Sequence, residues 1–239
     1  MTELRSAADI LEEIRKNGTS ADLASTNTGT SPDYDRKAWR ERLERAGIHR
    51  RFWPCTFANM GGRAMPEGVR AGFQKAKDYA EHFPEYEKRG VGVIFIGPVG
   101  TMKTSMAAAI AQHLLRNGRS AMFVPLAELF DNLVRMSKQK DNAEYLAFES
   151  RLKETSLLIL DDLGTEYPGD WIRNKVDAII SNRYNRMRPI CITTNLVPGE
   201  IAGRYQERVY DRLKGSSLVI TVAAESQRRA PKEIAGSIS

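Results

Sequence analysis

The stretch "IFIGPVGTMKTS", Ile94 to Ser105, joins a buried-type apolar run to a glycine-bearing loop, a lysine and a hydroxyl. The apolar run "VGVIFI" (91–96) reads as a strand, and "KTSMAAAIAQHLLRNG" (103–118) as a helix with Met106, Ile110 and Leu114 on one face. A loop that leaves a strand and opens a helix gathers backbone N–H groups and the helix N-terminus into a positive cradle suited to phosphate. The cradle spans Gly97, Pro98, Val99, Gly100, Thr101, Met102, Lys103, Thr104 and Ser105. In this role Gly97 and Gly100 let the backbone curl closely, Lys103 is expected to neutralise β/γ-phosphates, and the Thr104 hydroxyl to ligate Mg²⁺; the alternative is a plain glycine-rich turn from strand to helix. Met102 departs from the usual pattern, which has glycine immediately before the lysine. If the backbone there must be left-handed, a β-carbon costs on the order of 1–2 kcal/mol. Met102→Gly is then expected to give tighter or faster nucleotide use.

Two further stretches support the same site. "LLILDDLGTE" (157–166) carries Asp161 and Asp162 at the C-terminal end of an apolar strand, the edge where open α/β sheets bind ligands. Adjacent carboxylates there are costly unless a cation offsets them. Asp161 is expected to hold the Mg²⁺ shell, directly or through water, and Asp162 to orient the attacking water. "ICITTNL" (190–196) ends in Thr194 and Asn195, polar groups able to hydrogen-bond a γ-phosphate or that water.

Around these motifs the chain alternates strand and helix. "AMFV" (121–124), "LLIL" (157–160), "ICITT" (190–194) and "LVITV" (218–222) are the other expected strands. The helix "DWIRNKVDAIISNRYNRM" (170–187) has Asp170 as its expected N-cap and Val176, Ile179, Ile180 and Tyr184 as its apolar stripe. The expectation is an α/β fold with a five-stranded parallel sheet covered by helices on both faces, a three-layer αβα core. Residues 1–18 read as an amphipathic helix, 19–36 as a flexible linker, 37–90 as a helical lead-in with one helix over 36–46, 91–229 as the main domain, and 230–239 as a flexible tail.

The 239 residues include 36 Lys and Arg against 30 Asp and Glu, a net charge of +6 that permits an anionic partner without requiring one. Cys55 and Cys191 have no CxxC spacing, and His49, His82 and His113 are scattered, so neither a disulfide framework nor a structural zinc is expected. No apolar run reaches membrane-spanning length, and the acidic N-terminus is unlike a signal peptide; a cytoplasmic protein is the expectation.

The ordered set "IFIGPVGTMKT", "LLILDDLGTE", "ITTNL" and "ERVYDRL", with the lead-in "AGIHRRFWPCTFANM" (46–60), resembles the AAA+ ATPases of the DnaC/DnaI-type bacterial helicase loaders and the related transposition helper IstB. The resemblance covers about 47–229. It implies a P-loop AAA+ core that binds ATP with Mg²⁺, assembles side by side through the ATP interface, and engages single-stranded DNA and a replicative DNA helicase. It assigns Asn195 to sensor 1 and Arg212 to the arginine finger, which reaches the γ-phosphate held by a neighbouring subunit. Arg208, one helical turn earlier, is a second contributor on the same helix face. It makes Arg228 the first candidate for sensor 2 and Arg229 the second; the alternative is a merely basic, flexible tail. A plain alternative pairs both helix arginines with Glu207 or Asp211. Residues 222–239 are too few for a three-helix lid, so little or no C-terminal lid is expected.

Between the second and third strands, Arg135, Lys138 and Lys140 are candidate phosphate contacts, while Tyr145 and Phe148 either pack in the core or stack on bases. The N-terminal helix docks on a helicase or packs back on its own domain. Three functional readings stand: a helicase loader, an IstB-like helper that remodels duplex DNA, and a non-hydrolysing nucleotide-binding adaptor.

Overall fold

The computed structural model describes residues 32–137, 143–165 and 169–227. The expected helix at 1–18 and most of the expected linker lie outside these residues, as do Lys138, Lys140, Arg228, Arg229 and the tail. The lead-in helix α1 spans Pro32–Arg45, so it begins four residues before its expected start and includes the end of the expected linker. A 3₁₀ turn (Arg50–Phe52) and helices α2 (Phe57–Gly61), α3 (Glu67–Glu81) and α4 (Phe83–Arg89) complete the lead-in.

Five strands then alternate with helices: β1 (Gly92–Ile96), α5 (Lys103–Arg116), β2 (Ala121–Pro125), α6 (Leu126–Ser137), α7 (Ala143–Glu154), β3 (Leu157–Leu163), α8 (Asp170–Asn185), β4 (Ile190–Thr194), α9 (Pro198–Tyr205), α10 (Glu207–Ser216) and β5 (Ser217–Thr221). The sheet order is β2-β3-β4-β1-β5, and every pairing is parallel. Because side chains alternate across a strand, β1 to β4 each feed two cores, while β5 at the sheet edge feeds one and leaves Val219 exposed. Val93, Phe95, Phe123, Ile159 and Cys191 face the layer built from the lead-in helices and α5. Ile94, Ile96, Val124, Leu160 and Ile192 face the layer built from α6 to α10. Burial on both faces is why these strands read as unbroken apolar runs.

Two details of α8 differ from expectation. Its N-cap is Gly169; Asp170 is the first helical residue, where its carboxylate faces the helix N-terminus and pairs with Arg173. Tyr184 is 40% exposed, and the place expected for it on the buried stripe belongs to Arg183, which is fully buried. The Arg183 guanidinium donates to the carbonyls of Leu152 (2.9 Å), Thr155 (2.9 Å) and Pro189 (2.7 Å), joining the end of α7 to the starts of β3 and β4. Burial lowers its pKa to about 9, with Arg188 acting in the same direction.

β3 also runs further than expected. It continues through Asp161 and Asp162 to Leu163, with a register shift against β4 between Leu160 and Leu163. Asp162 sits in that irregularity at φ +58°. The local twist re-aims the two carboxylates at the strand end.

Candidate nucleotide site

The loop between β1 and α5 is held from behind by the chain that follows β5. Val222 N–H donates to the Ile96 carbonyl (2.7 Å) and Gln227 N–H to the Gly100 carbonyl (2.8 Å). That close approach explains both glycines. A Cβ at Gly97 would stand 2.3 Å from the Val222 carbonyl oxygen, and one at Gly100, where φ is +84°, 2.1 Å from Ser226 Oγ. Residues 222–227 therefore brace the loop through the backbone.

Met102 is the residue before the helix and has φ +67°, ψ +14°, the left-handed geometry that glycine ordinarily supplies. Its side chain is half-buried against the core layer beneath α5. Thr101 is buried and its hydroxyl donates to the Pro98 carbonyl (2.9 Å). Lys103 Nζ donates to the carbonyls of Gly97 and Pro98 and to Asn195 Oδ1, each at 2.7 Å. The ammonium thus lies inside the loop, in contact with the polar residue that follows β4.

Asp161 accepts a hydrogen bond from Thr193 Oγ1 at 2.6 Å, and the same hydroxyl oxygen accepts the Asp162 N–H at 2.9 Å. Burial raises the Asp161 pKa to about 6, with the Asp162 charge adding to the rise; hydrogen bonds from Thr193 and Thr104 and the Lys103 charge act in the opposite direction. Thr104 and Asp161, joined by that hydrogen bond, are hard oxygen donors at the mouth of the loop. This donor chemistry fits Mg²⁺, and the loop with its lysine fits the phosphates it would bridge.

The cleft at this site measures about 910 Å³. Lys103, Thr104, Asp161, Asp162 and Asn195 all line it, as does the loop from Val99 to Ser105. Its far wall is formed by Arg51, Phe52, Arg63, Ala64 and Met65, none of which sequence reasoning assigned to the site. The signal available was the motif "HRRFWPCTF", whose resemblance marked a lead-in without giving it a role. Gln112, buried on α5, fixes that wall: its Nε2 donates to the carbonyls of Phe52 (2.9 Å) and Cys55 (2.8 Å).

Arg208 and Arg212 are not part of the cleft lining. On α10 they turn towards α8, where both contact Asp177. The alternative pairing with Glu207 or Asp211 is replaced by this contact between helices. Tyr145 and Phe148 pack partly buried against the second core layer, and Arg135 pairs with Glu144 at 3.2 Å. Among the described residues no helix is long and apolar enough to cross a membrane.

A braced phosphate loop, a carboxylate pair on β3 and a polar residue after β4, on a parallel sheet ordered β2-β3-β4-β1-β5, define a P-loop nucleotide-binding protein of the AAA+ type. Within that class the chain belongs to the family described as IstB-like ATP binding protein, which matches residues 81–235. It is 28% identical over 188 residues to the replicative helicase loader DnaC of Buchnera aphidicola subsp. Baizongia pistaciae, covering 78% of this chain and 74% of that protein. Its fold is similar to the crystal structure of the DnaC helicase loader (TM-score 0.64, 22% identity, 73% of this chain and 99% of that one). It is also similar to the replication initiator DnaA bound to AMPPCP and single-stranded DNA (TM-score 0.60, 18% identity, 72% of this chain and 51% of that one).

Proposed function

We propose that this protein is a Mg²⁺-dependent AAA+ ATPase that loads a replicative hexameric DNA helicase onto single-stranded DNA, with ATP binding and hydrolysis switching or releasing the assembly. The observation that carries this reading is the convergence of Lys103, Thr104, Asp161, Asp162 and Asn195 on one cleft, in a chain whose relative is named a replicative helicase loader.

In this reading the loop amides and Lys103 bind the phosphates, and the Lys103 ammonium exchanges the Gly97 and Pro98 carbonyls for phosphate oxygens. Asn195, already in contact with Lys103, senses the terminal phosphate. Thr104 and Asp161 would hold Mg²⁺, which when bound neutralises charge on the β- and γ-phosphates. Asp162 orients the attacking water, and its left-handed backbone sets the direction of its carboxylate. The wall at Phe52 and Met65 offers apolar surface to the base. Arg212, with Arg208 as the second contributor, lies outside the cleft of its own subunit and acts on the nucleotide of a neighbour, so the active form is a side-by-side assembly. Arg228, the residue after the segment that braces the loop, takes the sensor 2 role in this reading.

Mutant mixing tests this directly. Lys103→Ala is expected to weaken ATP binding; unchanged binding would refute the loop assignment. Arg212→Ala should lower hydrolysis while the isolated subunit still binds ATP. Mixing the two variants should restore part of the activity, because each supplies what the other lacks; no restoration at any ratio would count against action in trans. A helicase co-purifying with the ATP-bound protein supports loading, whereas a transposase would favour the IstB-like reading. Electrostatic single-strand binding is expected to weaken steeply with salt; a flat response would remove DNA from the partners.

A further inference from the structure

The two α10 arginines share one carboxylate. Asp177 on α8 is only 8% exposed, and its Oδ2 accepts from Arg208 while its Oδ1 accepts from Arg212 at 3.4 Å. Ser181, one turn along α8, donates to Asp177 Oδ1 at 2.9 Å and accepts from Arg212 Nη1. One turn further, the Tyr184 ring stands 6.0 Å from the Arg212 guanidinium carbon. Asp177, Ser181 and Tyr184 therefore form a strip at helical spacing, and Arg208 and Arg212, four residues apart, lie along it.

Charge and exposure separate this cluster from an ordinary surface ion pair. Two guanidiniums face one carboxylate, so the group keeps one positive charge uncompensated. The carboxylate is buried, while the Arg208 side chain is 58% exposed and that of Arg212 is 29% exposed. A buried anion that holds one exposed and one partly exposed cation limits their rotamers before any partner arrives. Long arginine side chains lose much rotamer entropy when they are ordered, and preorganisation removes that loss from the reacting complex.

We propose that Asp177 is a positioning residue for trans hydrolysis: it holds Arg208 and Arg212 at the subunit edge in the geometry that reaches the neighbour's terminal phosphate. This role rests on the arginine-finger reading above and adds a residue to it. Asp177 does not line the cleft of its own subunit, and it acts through the two arginines.

The test uses the full-length protein under assembling conditions. Asp177→Asn keeps the shape but removes the charge, and it is expected to lower ATP turnover by about tenfold or more, the scale on which small misplacements act. The KM for ATP and binding by the isolated subunit should change by less than about twofold, since the cleft is untouched. Mixing with Lys103→Ala subunits, which keep their finger, should restore turnover at the intact Asp177→Asn sites. A merely structural role predicts a fall without such rescue. Turnover equal to wild type, or raised because the contact restrains the arginines, would overturn the proposal. If Asp177→Asn no longer binds ATP, Ser181→Ala decides: a rescuable fall supports positioning, and unchanged turnover overturns it. Arg212→Ala and Arg208→Ala run in parallel keep the two ideas apart. If neither lowers turnover, the finger reading itself fails; if either does and Asp177→Asn does not, only the Asp177 role is lost.

Discussion

Met102→Gly tests where the cost of an unusual phosphate loop is felt. Reasoning from sequence places that cost in nucleotide use and expects the glycine variant to bind tighter or turn over faster. The structure has Met102 already left-handed, at φ +67°, with the loop braced by Val222 and Gln227. The conformational cost, about 1–2 kcal/mol, is therefore met when the chain folds and is not repeated on binding. On stability, glycine relieves that strain but gives up part of a half-buried methionine, about 1 kcal/mol, and adds freedom to the unfolded chain, about 0.5–1 kcal/mol. These effects offset one another to within roughly 1 kcal/mol. Chemical denaturation should accordingly show little change, and titration with a fluorescent ATP analogue should give a Kd within about twofold of wild type. A tenfold tightening, about 1.4 kcal/mol, would refute the reasoning, because it would mean that the loop takes its left-handed form only when nucleotide binds.

Two other outcomes follow from buried charge. Arg183→Met removes the donors to Leu152, Thr155 and Pro189 and strands buried carbonyls but also relieves a buried charge, so denaturant unfolding should show a net loss of about 1–3 kcal/mol; no loss would show that those groups find other partners. Asp161 has a pKa raised from 3.8 to about 6, so the fold favours its protonated form. Its contribution to stability is present below its unfolded value and is lost as pH rises through about 6. Asp161→Asn should flatten that fall between pH 4 and 7 and stabilise the nucleotide-free protein at pH 7.5 by on the order of 1–3 kcal/mol. Mg²⁺-dependent nucleotide binding should show the opposite trend, weakening as pH drops below about 6, because the ligating carboxylate must be ionised.

Much of the molecule follows from local pattern. Strands buried on both faces need apolar runs, and "VGVIFI", "LLIL" and "ICITT" supply them; a glycine loop between strand and helix followed by Lys-Thr admits few other readings. Those constraints act over a handful of neighbouring residues, so the five strands, the phosphate loop and the Asp161–Asp162 edge were legible in sequence order. Distances between remote segments obey no such local rule. Arg183 stands where helical periodicity calls for an apolar residue, and only the meeting of three chain ends, which places carbonyls around it, makes a buried guanidinium stable there. The wall of the cleft at Arg51 to Met65 is brought to the loop by Gln112, across more than fifty residues of sequence. Arg208 and Arg212 look locally like partners of Glu207 and Asp211, but the packing of α10 on α8 gives them Asp177 instead. The sequence by itself determined the elements and the chemistry of the loop, because propensity, periodicity and backbone sterics are local. The tertiary structure alone decided which charges face one another, since a side chain's partner depends on which helices pack, and no spacing in the chain encodes that.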